Sequence, residues 1–198
     1  MDEQFLYAFG LVKVNSLRLM HDRGFPVDER RFWTPYQMME DLYARAMASG
    51  KSLAEEATES FGPVTTVFID RNYDYQKRKE KMISTDQIKE LASNILLIVP
   101  YKLSPQAKKE IQKNKEIELF TFDDLVFDIP RHVLYMKHEV VPVHVFEAET
   151  GYRQKPNDLP KMLRTDAVAR WFGFREGSIV KIHRPEGYVF RTIQSLHE

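Results

Sequence analysis

Pro185-Glu186-Gly187, set between the β-branched runs Ser178 to Arg184 and Tyr188 to Ile193, obliges this part of the chain to turn back on itself as a β-hairpin. Just ahead of it, Thr165 can cap a short helix with Asp166 in its first turn. Val168, Trp171 and Phe172 then fall at i, i+3 and i+4, and Gly173 supplies a left-handed exit. The spacing therefore predicts a two-turn helix feeding a hairpin. Upstream, Val140, Val141, Val143 and Val145 predict one more strand, and the polar stretch from Ala148 to Asp158, with Gly151 and Pro156, predicts a loop. The end of the chain reads as a small α+β domain.

The middle of the chain alternates differently. Val64 to Asp70 is β-branched and aromatic, Ile95 to Val99 is a short apolar run closed by Pro100, and Ile117 to Phe120 repeats the pattern; all three read as strands. Asp86 to Ser93 and Ser104 to Lys113 fall between them with helical patterns. Strands alternating with helices imply an α/β domain. Three helices precede it. In the first, Phe5, Phe9, Val12, Leu19 and Met20 share a face widened by Leu6 and Leu17, which predicts burial along one side up to Gly24 and Pro26. The second opens with Thr34 as cap and Pro35 at the first helical position and runs to about Gly50. The third starts at Ser52, with Glu55 at capping-box spacing, and ends before Gly62-Pro63. Asp123 to His132 reads as the end of the α/β domain and a short connection, and the boundary between the two domains falls near residues 128 to 136.

Composition narrows the function classes. With 198 residues, 43% hydrophobic and 12% aromatic, the chain has material for two packed cores. It has no cysteine, which removes disulfides and thiolate metal sites. No apolar run reaches the length of a membrane span, and the first residues are acidic where an export signal is basic, so neither a membrane nor an export route is expected. The 29 basic and 29 acidic residues balance, so any contact with nucleic acid must be local.

Few residues carry chemistry of their own. His138, Glu139 and His144 suggest a metal site only superficially: two histidines leave a four-ligand sphere unfilled, and Glu139 points to the other face of a pleat. Asp70 ends a strand where a nuclease would place a carboxylate, yet Ile95 to Lys102 offers no acid-x-Lys pattern beside it. No cofactor or catalytic metal is expected. Arg71 to Lys81, RNYDYQKRKEK, holds five basic residues among tyrosines and reads first as solvated surface. Arg164, Arg170, Arg175, Lys181 and Arg184 are interrupted by Asp166, Glu176 and Glu186, a mixture that suits a protein interface better than a phosphate backbone.

Leu159-Pro160, Asp166-Ala167-Val168-Ala169, Gly173, Gly177, Val180-Lys181-Ile182 and Arg184 stand in an order and spacing that resemble the assembly domain of the fifth subunit shared by eukaryotic nuclear RNA polymerases, a family that extends to the archaeal RNA polymerase. His138 to His144, HEVVPVH, resembles a short motif preceding that segment, and Ala8-Phe9 with His21-Asp22-Arg23-Gly24-Phe25 resembles the family's first helix and its exit. The resemblance implies an N-terminal jaw domain with a restriction-endonuclease-like fold, residues 1–131, and a C-terminal assembly domain, residues 132–198. It implies a non-catalytic subunit that docks on the largest polymerase subunit and builds the lower jaw near downstream duplex DNA, touching it weakly or indirectly. The interface candidates are His138, Pro142, His144, Leu159, Pro160, Arg164, Asp166, Arg170, Trp171, Lys181 and Arg184; Arg71, Lys77, Arg78 and Lys79 are the candidates to face DNA. Cellular members have a longer turn after the position of Arg184 and a leucine-rich helix where this chain has Gly151 to Asp158. Leu159-Pro160-Lys161-Met162-Leu163 is also similar to a phrase in small polymerase subunits of large cytoplasmic DNA viruses. A cellular member implies the nucleus, a viral one the cytoplasmic factory and the virion. Two other classes remain open: a regulatory interaction module that reuses the assembly domain, and a metal-dependent nuclease.

Overall fold

Ile95–Val99, five apolar residues in a row, forms a central strand buried along its whole length because parallel strands flank both its edges and helices cover both faces of the sheet. It belongs to the first of two units, Met1–Phe127 and Asp128–Glu198, in a computed structural model that describes residues 3–69, 72–74, 79–81, 94–114, 116–151 and 155–195. In the first unit, helices α1 (Glu3–Asp22), α2 (Pro35–Ser49) and α3 (Leu53–Ala57) lead into strands β1 (Glu59–Phe61) and β2 (Val64–Phe68). A backbone hairpin of β3 (Asn72–Asp74) and β4 (Lys79–Lys81) follows, then β5 (Ile95–Val99), α4 (Pro105–Lys113), β6 (Ile117–Thr121) and α5 (Phe122–Leu125). The four-stranded sheet runs β1-β2-β5-β6, with β1 antiparallel and the others parallel.

The alternation along β5 sorts the core into two layers. Ile95, Leu97 and Val99 pack with Ala107 and Ile111 of α4. The other side carries Phe68, paired with Ile98, against Phe9 of α1 at 5.5 Å between rings. Gly10 sits where α1 meets α2: a Cβ there would strike the Pro35 carbonyl oxygen, so only glycine allows this approach.

Several local expectations hold. Thr34 caps α2, and Ser52 with Glu55 forms the capping box at α3; in addition Gln37 completes a reciprocal box with Thr34, and Ser104 caps α4. Other expectations need correction. The helix after Ser52 stops at Ala57, and the residues before Gly62-Pro63 form β1, which hairpins onto β2 through a glycine at φ 62°. Strand β2 ends at Phe68 rather than Asp70. Helix α1 is buried on every side in its middle, six consecutive residues from Val12 to Leu17, because α2, the sheet and α5 surround it. Three of the six are polar, and each finds a partner. The Lys13 ammonium donates to the Ala57 carbonyl at 2.8 Å and to Glu59 at 3.0 Å, Asn15 donates to the Leu125 carbonyl at 2.7 Å, and Ser16 donates to the Lys13 carbonyl at 2.7 Å. The helix expected over Asp86 to Ser93 lies outside the described residues.

The second unit is a sheet between helices: β7 (His138–Val141), α6 (Val143–Thr150), β8 (Lys161–Leu163), α7 (Ala167–Phe172), β9 (Ile179–Arg184) and β10 (Gly187–Gln194). The strand order is β7-β9-β10-β8, antiparallel except for β8 on β10. The hairpin β9–β10 is as expected, turning on Pro185 and Glu186. Residues 128–131 join this unit because the 3-10 turn Ile129–Arg131 packs on α7.

Candidate subunit interface

Consecutive residues of β9 point to opposite faces, and each face receives one helix. Ile179, with Val141 and Phe190, packs with Leu159 and with Phe146 of α6. Val180 and Ile182, with Met162 and Ile193, pack with Ala169 of α7 and with Phe174. Helix α6 corrects two expectations: Val143 and Val145 are helical, and Ala148 to Thr150 are its last turn. Pro142 cannot donate to a ladder, so β7 ends before it. Its carbonyl instead accepts from Val145 and Phe146 at 3.1 Å, and Gly151, at φ 60°, closes the helix. The cap of α7 is Asp166 rather than Thr165: its carboxylate accepts from the Val168 amide at 2.9 Å. Gly173, at φ 65°, ends the helix as expected.

Charged groups tie the α6 side together. Lys181 donates to Glu149 of α6 at 2.6 Å and lies 4.1 Å from the Tyr188 ring centre, and the Glu149 hydrogen bond raises its pKa against the opposing pull of desolvation. Glu139 meets Lys137 at 3.1 Å and His183 at 3.1 Å, and these partners lower its pKa. On the α7 side, His138 is half-buried; its ring stacks on Tyr135 at 5.8 Å, and its Nδ1 lies 2.6 Å from the Met136 carbonyl. Burial pushes the His138 pKa down, while the Met136 carbonyl and Asp166 pull the other way.

The eleven interface candidates thus divide by exposure. Leu159 and Trp171, 5% and 1% exposed, belong to the unit's own core and offer a partner no surface. Pro142, His144, Pro160, Arg164, Asp166 and Arg184 are exposed; His138, Arg170 and Lys181 are intermediate. They do not share one face, since His144 rides on α6 and Asp166 on α7. His138 and His144, on a strand and a helix respectively, build no joint site. Among the described residues, no three His, Asp or Glu side chains could together hold a metal ion. Of the DNA-facing candidates, Arg71, Lys77 and Arg78, like Asp70, lie outside the described residues; Lys79 is described only as backbone, in β4.

Sequence reasoning took residues 132–136 only as part of the domain boundary. The Tyr135 amide donates to the His132 carbonyl at 2.9 Å, closing a four-residue turn with Val133 and Leu134 at its centre. Two aliphatic residues where turns favour Gly, Asn, Asp or Pro were the available signal.

Comparison with known proteins agrees with this architecture. Residues 127–193 match the family described as RNA polymerase Rpb5, C-terminal domain. The chain is 25% identical to the Caenorhabditis briggsae DNA-directed RNA polymerases I, II, and III subunit RPABC1 over 97% of this chain and 96% of that protein. It is 33% identical to the Dictyostelium discoideum counterpart over 52% of this chain and 55% of the other. It is 23% identical to the Arabidopsis thaliana DNA-directed RNA polymerase V subunit 5A, over 89% and 82%. No described helix is long and apolar enough to cross a membrane. Its second unit is thus similar to the Rpb5 C-terminal domain, and nearly its whole length is similar to RPABC1 subunits of RNA polymerases.

Proposed function

We propose that this chain is a non-catalytic subunit of a multisubunit DNA-directed RNA polymerase, associating with other polymerase subunits through its second unit. The observation that carries this is the match to RPABC1 subunits over nearly the full length of both partners, so both units are retained together. Docking on the largest subunit is the finer reading. It is supported by the mixture of exposed basic and acidic groups around α7 and the hairpin, Arg164, Asp166, Arg184 and Glu186, which suits carboxylate and carbonyl partners.

In the same reading, the first unit is the jaw, with a restriction-endonuclease-like arrangement supported by its mainly parallel sheet between helices. Arg71, Lys77, Arg78 and Lys79 then face downstream DNA. Each phosphate contact they make would add about 0.9 to the slope of log affinity against log salt. The compartment follows the enzyme: the nucleus in a cellular polymerase, the cytoplasmic factory and virion in a viral one, the source to which Leu159-Pro160-Lys161-Met162-Leu163 bears a likeness.

The test is affinity purification of the tagged chain from its native source, with Trp171→Asp in parallel. Wild type is expected to bring down the two largest polymerase subunits, and the variant, with a charge forced into the core of the second unit, to lose them. Recovery of a different complex, or of none, would sink the polymerase reading.

A further inference from the structure

Val133 and Leu134 are 91% and 78% exposed, and Met136, two residues on, is 41% exposed. Exposed aliphatic residues scattered singly mean little; three within four residues on one held turn are different. The turn is fixed from both ends. The Leu134 amide donates to His132 Nδ1 at 3.2 Å, the Tyr135 amide donates to the His132 carbonyl, and the Tyr135 hydroxyl accepts from the His138 amide at 3.2 Å. The Tyr135 ring lies between His138 and Phe172 of α7, at 5.8 and 6.3 Å. Local turn chemistry is thus violated at a place the rest of the unit keeps rigid, the pattern expected where a side chain is displayed for use.

The charges beside the tip are answered within the chain: Arg131 pairs with Asp128 at 3.0 Å and Lys137 with Glu139 at 3.1 Å. Such a surface gives a phosphate backbone little to hold and meets an uncharged apolar surface without stranding an ion. The turn also lies inside the span that matches the Rpb5 C-terminal domain. We propose that Val133 and Leu134 are a preformed apolar anchor that inserts into an uncharged, apolar pocket on a neighbouring polymerase subunit. This rests on the polymerase reading above and names one point of contact within it. Because the turn is already ordered, little conformational freedom is lost when it docks.

The experiment uses the full-length tagged chain in its native source, wild type against Val133→Ser/Leu134→Ser. Both side chains are exposed, so the variant is expected to keep its circular dichroism spectrum and melting temperature. It is expected to recover at least about tenfold less polymerase after washing, since two buried aliphatic contacts are lost. In a second variant, a photo-crosslinking amino acid replacing Leu134 is expected to trap a peptide of an identified polymerase subunit. Undiminished recovery by the double variant would overturn the anchor and leave the polymerase reading standing. Crosslinking to a second copy of this chain, together with a wild-type dimer that the double variant dissolves in sedimentation, would overturn it in favour of self-association. If wild type itself recovers no polymerase subunit, the polymerase reading fails, and the anchor fails with it.

Discussion

Lys13 is buried without exposed surface, and its ammonium is answered by the Ala57 carbonyl and by Glu59, whose carboxylate also receives Arg31 at 2.6 and 2.8 Å. Burial pushes the Lys13 pKa down to about 8, against the pull of Glu59. Burial would raise the Glu59 pKa, but the Arg31 hydrogen bonds and the Lys13 charge outweigh it and hold the carboxyl at about 2. The two partners therefore respond unequally to replacement. Glu59→Ala strands a buried cation and is expected to cost about 3 kcal/mol; Lys13→Met leaves Glu59 its bidentate arginine and is expected to stay within about 1 kcal/mol of wild type, both read by urea unfolding at pH 7. The pH dependence separates them further. Between about 8 and 10.5 the unfolded chain holds the Lys13 proton that the folded chain has lost, so this group makes stability rise with pH there, and Lys13→Met should remove that rise. Glu59 acts at the other end: its contribution is full above its ordinary 4.5 and is lost as pH falls towards about 2. Gly10→Ala tests a different limit. The gain in helix propensity is overridden by collision with the Pro35 carbonyl, for a net loss of about 1–3 kcal/mol in the same assay.

At the scale of elements, local signals are legible wherever a side chain caps its own helix. Thr34 with Gln37, Ser52 with Glu55 and Ser104 can all be read directly, because an oxygen and the amide it accepts from lie within three residues. The cap of α7 is displaced by one position from the expected Thr165: Thr165 and Asp166 are both good caps, and the choice between them depends on where the preceding strand β8 lets the backbone turn. Asp166→Ala should cost about 1 kcal/mol in thermal unfolding, while Thr165→Ala, whose side chain caps nothing, should cost less than half of that. The valines from Val140 to Val145 show the opposite failure. Their spacing fits a strand, yet Pro142 stops the ladder and Phe146 finds a pocket between Leu159 and Phe190, so half of the run becomes helix. Burial of one phenylalanine outweighs the β preference of two valines that the helix leaves partly in water.

For the molecule as a whole, the two units make separable predictions. Trp171→Ala empties a fully buried site in the second unit and is expected to cost about 3–5 kcal/mol and to weaken recovery of polymerase subunits; Gly10→Ala, in the first unit, is expected to lower stability while leaving that recovery intact. Equal loss from both variants in the affinity purification would contradict the assignment of docking to the second unit. The sequence by itself determined the two-domain order, the hairpin around Pro185 and Glu186, most helix caps and the likeness to RNA polymerase subunits, because each rests on residues close together in the chain or on motifs in fixed order. Only the tertiary structure decided that the residues before Gly62 pair with β2, that Lys161–Leu163 adds a parallel strand to β10, that Lys13 is buried rather than solvated, and that Val133 and Leu134 stand out from the surface. Those outcomes depend on partners far away in the chain: a three-residue strand or a buried lysine has no local signature, and its free energy comes almost wholly from what the fold brings against it.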